Sequence, residues 1–367
     1  MNTKELVALL LLNRISSLNA KNIRTFVSMY GSWAAMISDR AISEIAHINS
    51  AGRRLADRIA HEKSVFDHEG ELRLIERNNV DIIPYDDDRY PALLKEIADP
   101  PLVLYKKGTL PFPVKPCLSI VGSRNASFYG LEMAEYFAKE CAQRGITIVS
   151  GFAKGIDSAA HQGALKADGC TIAVFGCGVD VIYPRMNQKL YGKILECGAC
   201  LSEFPMGIEP FRYNFPQRNR IIAGLARGVL VVEASARSGS LITARMALDE
   251  GREVYSIPGK VNYAGAKGTN RLLREGARFV ESIEDILEDF PEIESVSSPP
   301  ITKDKAIRDL SCEEKSVLAV ITSRPISVDQ ITSVIDMPIT TLQPLLTSLE
   351  LKRLISKQAG GSFVVQK

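Results

Sequence analysis

Hydrophobic residues follow one period at the two ends of this chain and another in its middle. In residues 1–65 they recur every three or four positions, which predicts a set of short helices. These predicted helices are Thr3–Asn13, Ala20–Tyr30, Ser32–Ser38, Ala41–Ala46 and Ser50–Glu62. From residue 117 onward, apolar runs of three to five residues alternate with helical patterns, which predicts strands that have no polar face.

The connections between these central elements are short. The predicted strands are Cys117–Val121, Thr147–Val149, Thr171–Phe175, Ala199–Ser202, Gly228–Val232 and Glu253–Ser256. The predicted helices are Tyr129–Gln143, Ser158–Ala167, Gln188–Cys197, Arg220–Leu225, Leu241–Glu250 and Asn270–Glu275. Because strands that are apolar throughout must be buried on both sides, the pattern predicts an α/β fold with a Rossmann-like, doubly wound and mostly parallel sheet.

The end of the chain returns to helical patterns after a linker that is rich in serine, proline and acids. Three helical patterns, at Cys312–Thr322, Val328–Ile335 and Thr340–Lys352, precede a hairpin with a turn at Gly360–Gly361, an arrangement that predicts a winged helix. The expected organisation is a helical domain at 1–70, a Rossmann-like domain at 71–290, the linker at 291–309 and the winged helix at 310–367.

Two tight turns in the N-terminal segment, at Leu18–Lys21 and Ile48–Ala51, resemble those of tandem helix-hairpin-helix modules, which hold DNA phosphates on backbone amides. Such turns usually carry glycine, because the backbone must approach the phosphate closely. Asn19 occupies that position here. Two interpretations therefore stay open for this segment: contact with DNA, and a small packing or protein-interaction domain.

The total charge of the chain does not indicate its function. Its 367 residues carry a net charge of +2, so a role in nucleic-acid binding must rest on local clustering. The apolar run Leu6–Leu12 is too short to span a bilayer and has no signal-peptide cleavage site after it, which predicts a cytoplasmic protein. Seven cysteines, an odd number, fit reduced thiols better than a disulfide framework.

Positive charge is concentrated between residues 211 and 245. Glu233 is the only acid there, against six arginines: Arg212, Arg218, Arg220, Arg227, Arg237 and Arg245. Phe211, Tyr213 and Phe215 lie among them, and Arg218 and Arg220 fall at a predicted helix start, where the dipole disfavours cations unless an anion binds. Cations that follow a backbone and rings that stack on bases fit single-stranded DNA. In the structural alternative, the phenylalanines belong to the core and the arginines are solvated.

Two loops that follow predicted strands have the residues of a phosphate site. Gly122–Arg124 offers a glycine for close backbone approach, a hydroxyl and a guanidinium fork. Ser150–Asp157 offers glycines and Lys154, and its final residue, Asp157, is placed to cap the next helix. Because ligands of an open parallel sheet bind beyond the carboxyl ends of the strands, these loops are expected to meet at one site.

Other motifs carry weaker signals. Gly176–Gly178 lacks the third glycine of a dinucleotide fingerprint, and the chain has no G-x-x-x-x-G-K-[ST] segment. Cys197–Cys200 is a C-x-x-C whose first cysteine ends a predicted helix, which disfavours redox chemistry. Asp86–Asp88 is more typical of a solvated turn than of a cation site. His161, on a predicted helix, is more typical of a structural residue than of a catalytic one.

Five segments together resemble the DNA-processing protein A family, also called DprA or Smf. They are Ile120–Arg124, Ser150–Asp157, Asn214–Leu225, Arg237–Ala244 and Ile257–Gly259, in the order and spacing of the family, and the resemblance covers nearly the whole chain. It implies a bacterial cytoplasmic homodimer, formed through the Rossmann-like domain. Such a protein binds and protects incoming single-stranded DNA during natural transformation and loads the recombinase RecA onto it, without catalytic turnover or a cofactor.

The same resemblance implies a set of DNA-binding residues. By motif, the DNA-phosphate pocket comprises Gly122, Ser123, Arg124, Gly151, Lys154, Arg218, Asn219 and Arg220. Arg185 stands where a basic residue is common in the family and would extend the groove.

An enzyme is the alternative from another functional class. The Rossmann-like superfamily includes nucleotide-binding and nucleotide-cleaving members, whose P-G-G-x-G-T-x-x-E signature falls on Ser238–Ala244, where the acid is missing. Asp157 and Glu233 would then be candidate paired carboxylates, although a helix cap and a strand-end carboxylate explain both. A transcription factor needs a base-reading helix in the winged helix, and Thr340–Ser348 offers only Gln343 for that purpose.

Overall fold

The chain divides into two compact units, Met1–Ile293 and Glu294–Lys367. The computed structural model describes residues 2–15, 20–112, 114–291, 293, 311–321, 326–335, 337–351, 355–357 and 362–365. Within these ranges, none of the helices combines the length and the apolar character that a membrane span requires. The N-terminal helices belong to the same unit as the central sheet, and a separate helical domain at 1–70 stays a prediction.

Short helices open the first unit, and side-chain caps define most of their starts. They are α1 (Thr3–Arg14), α2 (Ala20–Tyr30), α3 (Trp33–Met36), α4 (Asp39–Ile48), α5 (Ser50–Val65) and α6 (His68–Arg77). The capping side chains, each of which accepts a hydrogen bond from a first-turn amide, are Asn2, Ser32, Ser38, Asn49 and Asp67. The first five helices confirm the predicted ones, and α6 is absent from the prediction. Leu18 and Asn19 of the predicted turn at Leu18–Lys21 lie outside the described residues, and Ala20 and Lys21 begin α2.

The central sheet has nine strands among the described residues. They are β1 (Asp81–Pro84), β2 (Val103–Lys107), β3 (Cys117–Val121), β4 (Thr147–Ser150), β5 (Thr171–Val174), β6 (Ala199–Ser202), β7 (Gly228–Val231), β8 (Glu253–Ser256) and β9 (Arg278–Phe279). Their order is β1-β2-β6-β5-β4-β3-β7-β8-β9, with antiparallel pairing at β1 and β2 and parallel pairing elsewhere. The mostly parallel, Rossmann-like sheet is confirmed.

Helices connect and flank these strands. They are α7 (Ala92–Glu96), α8 (Phe128–Gln143), α9 (Ile156–Lys166), α10 (Gln188–Cys197), α11 (Asn214–Leu225), α12 (Ser240–Asp249), α13 (Lys267–Arg274) and α14 (Glu284–Leu287). The prediction was wrong about α11, which begins at Asn214 instead of Arg220. Pro216 is tolerated in its first turn, where amides have no acceptor within the helix. Arg218 and Arg220 therefore lie in the second turn, and the argument that they oppose the dipole of a helix start was wrong.

Both faces of the parallel strands are covered. On one face, Leu118 and Ile120 of β3 share a buried apolar cluster with residues of α8 and α9. On the other, Cys117 and Val121 share a cluster with residues of α11 and α12. Because the faces are covered, the edge formed by the carboxyl ends of the strands is the part of the sheet that remains available to a ligand.

The N-terminal helices pack beside β2. Leu9 of α1 shares a buried cluster with Val103 and Tyr105 of β2. The Glu71 carboxylate of α6 accepts hydrogen bonds from the Tyr105 hydroxyl and the Met206 amide, both at 3.0 Å. Burial raises the pKa of Glu71, although both hydrogen bonds lower it. Polar and apolar contacts thus join the helical segment to the sheet.

The second unit confirms the predicted winged helix. Its helices are α15 (Cys312–Val320), α16 (Val328–Ile335) and α17 (Ile339–Leu351), and its antiparallel sheet has the order β10 (Ile326–Ser327), β12 (Ser362–Val365), β11 (Ile355–Lys357). Ser311 and Glu314 form a capping box at the start of α15. Val317, Leu346 and Phe363 are buried in a core of its own. The predicted turn at Gly360–Gly361 lies outside the described residues.

Helices α8 and α9 approach closely at Gly163, which generates a prediction about stability. A Cβ atom at Gly163 would overlap the carbonyl oxygen of Glu135 and lie 2.9 Å from Cβ of Ala138. Gly163→Ala is therefore expected to lower the free energy of unfolding by about 1–3 kcal/mol, the usual cost of overpacking. Chemical denaturation followed by circular dichroism measures the change.

Gly192→Ala is the matched control, because Gly192 is also inside a helix but is exposed and has open space at its Cβ position. Helix propensity predicts that this variant is more stable by up to about 1 kcal/mol. Equal effects of the two substitutions would contradict the role of Gly163 in helix packing.

Candidate nucleic-acid interface

The order of the strands reverses at β3, and a cavity lies there. The chain places β4, β5 and β6 successively on one side of β3, then crosses to place β7 and β8 on the other. At such a point the connecting loops diverge, which leaves room for a ligand beyond the strand ends. A cavity of about 730 Å³ occupies this position, lined by the loop after β3, by α11 and by the start of α12. We call it the switch-point cavity.

The loop after β3 is held by its backbone, and its arginine is exposed at the cavity. A Cβ atom on Gly122 would lie 2.6 Å from Cγ1 of Ile156 and 2.9 Å from the carbonyl oxygen of Glu233, so a side chain does not fit. The Ser123 amide donates to that same carbonyl at 2.7 Å. Gly122, Ser123 and Arg124 all line the cavity, as the sequence predicts for a common site.

Arg218 also lines the cavity, but its guanidinium is buried. Nη1 donates to the carbonyl oxygen of Gly151 at 2.8 Å and to that of Val174, while Nε has no partner in the described structure. Burial lowers the pKa of Arg218 to about 10. A Cβ atom on Gly151 would lie 2.8 Å from Nη2 of Arg218. Gly151 thus makes room for a guanidinium, where the sequence predicts room for a phosphate.

Asp157 introduces a carboxylate into this cationic cavity. The prediction that it caps α9 was wrong: Gly155 is the N-cap residue, and Asp157 lies in the first turn. Its carboxylate is buried and accepts a hydrogen bond from the Ala153 amide at 3.2 Å. Burial raises the pKa of Asp157 to about 6, although the nearby guanidinium of Arg218 lowers it.

The two polar residues that follow Arg218 differ in their placement. Asn219 lines the switch-point cavity. Arg220 is not among the lining residues: its Nη1 and Nη2 contact the two carboxylate oxygens of Glu203 at 2.6 and 2.7 Å, and its Nε donates to the Asp99 carbonyl at 2.9 Å. Although burial lowers the pKa of Arg220, the Glu203 carboxylate raises it overall. The structure gives Arg220 an ion-pair role and does not bring it to the predicted pocket.

Aromatic rings lie beside the exposed cations of the cavity. Phe215 packs 5.8 Å from the ring of Tyr183, and the guanidinium carbon of Arg124 lies 5.6 Å from the centre of the Phe215 ring. Phe211 and Tyr213 stack with their ring centres 5.5 Å apart and are 48% and 71% exposed. The alternative that places Phe211 in the core was therefore wrong.

Lys154 and Arg185 do not line the switch-point cavity. Lys154 is exposed and lines a neighbouring groove of about 580 Å³. Arg185 is exposed in a short 3-10 helix, Arg185–Asn187. The predicted pocket therefore divides into a group at the cavity and a group outside it.

Several lining residues are missing from the predicted set: Asn125, Tyr183, Arg212, Ser238 and Ser240. The loops that carry them follow predicted strands or precede predicted helices. The rule that the loops at the carboxyl ends of parallel strands converge indicates these loops from the sequence. It does not indicate which of their side chains face the ligand.

The side chains considered for catalysis, Asp157, Glu233 and His161, do not form a common catalytic site in the structure. Glu233 does not line the switch-point cavity; its carboxylate accepts hydrogen bonds from the amide and hydroxyl of Ser127 and from the Tyr263 hydroxyl. It faces a separate cavity of about 680 Å³, so it does not form a carboxylate pair with Asp157 in one cavity. His161 is fully buried and bonds to Thr171 at 2.7 Å through Nδ1, and burial lowers its pKa to about 3.

The structure gives other roles to residues of the Asp86–Asp88 run and of the Cys197–Cys200 motif. Asp87 pairs with the Arg89 guanidinium at 2.8 Å. Cys197 ends α10, and Cys200 is buried in β6, where burial raises the pKa of its thiol. Among the described residues, no cluster of three or more His, Cys, Asp or Glu side chains is arranged to hold a metal ion.

Two solved structures are similar to this chain. DNA processing protein A (DprA) from Streptococcus pneumoniae has a TM-score of 0.67 and 35% identity, and the match covers 78% of this chain and 98% of that one. DNA processing protein A from Helicobacter pylori, described for its single-stranded DNA binding mode, has a TM-score of 0.52 and 29% identity, with 58% and 96% covered.

Sequence relatives and family matches agree with these structures. Protein Smf from Escherichia coli (strain K12) is 40% identical over 304 residues, which are 80% of this chain and 79% of the relative. The family described as DNA recombination-mediator protein A matches residues 81–291, and the DprA winged helix domain matches residues 302–361. With the Rossmann-like sheet, the winged helix and these matches in agreement, the chain belongs to the DNA recombination-mediator protein A family.

Proposed function

We propose that this protein is a single-stranded DNA-binding recombination mediator and that the switch-point cavity is its DNA site. The observation that carries the proposal is the juxtaposition of exposed arginines and aromatic rings at a strand-order reversal. Arg124 and Arg212 are exposed at the cavity, and Phe215 and Tyr183 line it beside them. Guanidinium groups bind phosphates, and the rings offer surfaces for unstacked bases.

The composition of the cavity favours a single strand over a duplex. A duplex keeps its bases stacked inside and presents phosphates at its surface, so a basic surface alone would suit it. Aromatic rings add affinity only where a base is free to stack on them. Since Phe215 lies beneath the Arg124 guanidinium, a phosphate on Arg124 would bring a flanking base close to a ring.

The proposed contacts differ in kind among the predicted residues. Arg124 and Arg212 are proposed to bind phosphates, and Asn219 is proposed to offer its amide to a phosphate or a base. Gly122 and Ser123 are proposed to hold the loop that carries Arg124, because Gly122 packs against Ile156 and the Ser123 amide donates to the Glu233 carbonyl. Arg218 is proposed to add positive potential from below the surface, because its guanidinium is buried and its Nη1 already donates to two backbone carbonyls.

Family membership supports three further elements of the proposal: action in the cytoplasm during natural transformation, loading of RecA onto the bound strand, and a homodimer formed through the Rossmann-like domain. In this role the protein binds and transfers DNA and catalyses no reaction. The expected solution mass is twice the 40.3 kDa of one chain, measured by light scattering.

The protein is expected to shorten the lag before RecA assembles on a strand coated with single-strand binding protein. An unchanged lag would contradict RecA loading and leave DNA binding standing.

Arg124→Ala tests the cavity directly. Loss of one phosphate contact is expected to weaken binding of a labelled oligothymidylate about tenfold, as for one charged hydrogen bond. The slope of log affinity against log salt is expected to fall by about 0.7, the contribution of one phosphate on a single strand. Fluorescence anisotropy at several salt concentrations, with a duplex of equal length as comparison, measures both quantities.

Arg73→Ala is the control for Arg124→Ala, since Arg73 is an exposed arginine of α6 outside the cavity, paired with Glu69. It is expected to leave affinity and salt slope unchanged. Arg218→Ala is a less specific test, because it would leave two carbonyls without their donor and destabilise the fold by about 1–3 kcal/mol. Equal affinities of the wild type, Arg124→Ala and Arg73→Ala would overturn the assignment of the cavity.

Asp157 predicts a pH dependence of DNA binding. Arg218 and Arg124 attract its carboxylate, yet burial raises the pKa of Asp157 to about 6, and a bound phosphate would raise it further. Below about pH 6 the carboxyl group is neutral and no longer repels the strand. Affinity for oligothymidylate, whose base does not titrate in this range, is therefore expected to rise about tenfold from pH 7.5 to pH 5.

Asp157→Asn is expected to remove most of this pH dependence, because its side chain is neutral at both pH values. Every other titratable group is the same in the two proteins, so the difference between the two anisotropy titrations isolates Asp157. A pH profile that is the same in the wild type and in Asp157→Asn would show that this carboxylate is not coupled to the strand.

A further inference from the structure

A groove adjoins the switch-point cavity at Arg124 and Asn125, which line both. It has a volume of about 580 Å³ and lies between the first half of α8 and the start of α9. Lys154 and Gly155 line its α9 side, and Met186 lies at its edge. We call it the α8–α9 groove. A chain-like ligand that leaves the cavity past Arg124 enters it directly.

Large apolar side chains are exposed along this groove. Phe128 is 82% exposed, Met186 is 68% exposed and Leu131 is 37% exposed. Phe128 is the first residue of α8, and the Ser127 hydroxyl caps this helix by accepting the Gly130 amide at 3.1 Å. The cap fixes the backbone at Phe128, and the exposed ring is available to a flat ligand.

Charge is distributed unevenly across the groove. Lys154 lies on the α9 side, and Arg124 lies where the groove meets the cavity. The acids that line it, Glu132 and Glu135, belong to α8, and Glu135 pairs with Lys166 at 2.5 Å. A polyanion would therefore keep its charged side against α9, which leaves its uncharged side facing Phe128 and Leu131.

We propose that single-stranded DNA leaving the switch-point cavity continues through the α8–α9 groove. Its phosphates lie beside Lys154, and its bases pack on Phe128 and Met186. This inference rests on the proposed function of the cavity and extends it to a second subsite. It also accounts for Lys154, which DNA-binding motifs indicate but the cavity does not contain. The competing occupant is an apolar segment of a partner protein. Lys154 and the position of Arg124 between the groove and the cavity favour DNA.

Binding of a short and a long oligothymidylate tests the subsite. A strand of about 4 nucleotides fills the cavity alone, and one of about 12 reaches both surfaces, within the range of site sizes for single-strand binding folds. Phe128→Ala is expected to lower the ratio of long-strand to short-strand affinity about tenfold, as for one lost stacked base. Lys154→Gln is expected to lower the salt slope for the long strand by about 0.7 relative to the short one.

Tyr136→Ala is the matched control, because Tyr136 is a 43% exposed aromatic residue of the same helix outside the groove. It is expected to keep the wild-type ratio. Circular dichroism checks that each variant is folded. Phe128→Ala is not expected to change the fold, because the Phe128 side chain is 82% exposed.

The other outcomes of these titrations distinguish a failure of the groove from a failure of the proposed function. If Phe128→Ala and Lys154→Gln keep the wild-type ratio and slope while Arg124→Ala still weakens both strands, the cavity binds DNA and the groove does not. The partner-protein alternative predicts that same result. If the wild type binds neither strand, the proposed function fails, and the inference fails with it.

Discussion

A buried guanidinium fixes the edge of the sheet at which the switch-point cavity lies. Arg218 donates to the carbonyls of Gly151 and Val174, which lie at the carboxyl ends of β4 and β5. This contact anchors α11 across the strand ends and so positions Phe215 and Asn219 on the same helix. A buried charge is costly without a counter-charge, and the Asp157 carboxylate beside it supplies one. The raised pKa of Asp157 and the lowered pKa of Arg218 both follow from this shared burial.

Four arginines at or near the cavity, Arg124, Arg212, Arg218 and Arg220, serve two different purposes. Arg218 and Arg220 both donate to protein acceptors, and Glu203 forms a bidentate ion pair with Arg220 that ties α11 to the end of β6. Arg124 and Arg212 are exposed at the cavity. The buried pair builds the site, and the exposed pair is available to a ligand. The number of arginines between residues 211 and 245 thus overstates the number of cations that the cavity exposes to a ligand.

Close backbone packing preorganises the cavity. Gly122 allows the loop after β3 to lie against Ile156 and the Glu233 carbonyl, and the Ser123 amide donates to that carbonyl at 2.7 Å. The loops after β3 and β7 are therefore joined without using the side chain of Arg124. A site held in this way loses little freedom on binding, which favours affinity. The same short loop separates the cavity from the α8–α9 groove, so one structural element controls both surfaces.

The sequence does not predict the strands β1, β2 and β9. It does predict β3 to β8, most of the helices that cover them, the winged helix and the loops that line the cavity, because these follow from local hydrophobic periods and from glycines at strand ends. It also indicated the cluster from Phe211 to Arg220 as the centre of the chemistry. Which arginines are exposed at the cavity depends on the folded arrangement of the strands and helices. Arg218, Asn219 and Arg220 are adjacent in sequence, but successive side chains of an α-helix point about 100° apart around its axis. Their environments are therefore set by distant partners, the strand-end carbonyls for Arg218 and Glu203 for Arg220. No local pattern encodes those contacts, because they exist only once β4, β5 and β6 lie side by side.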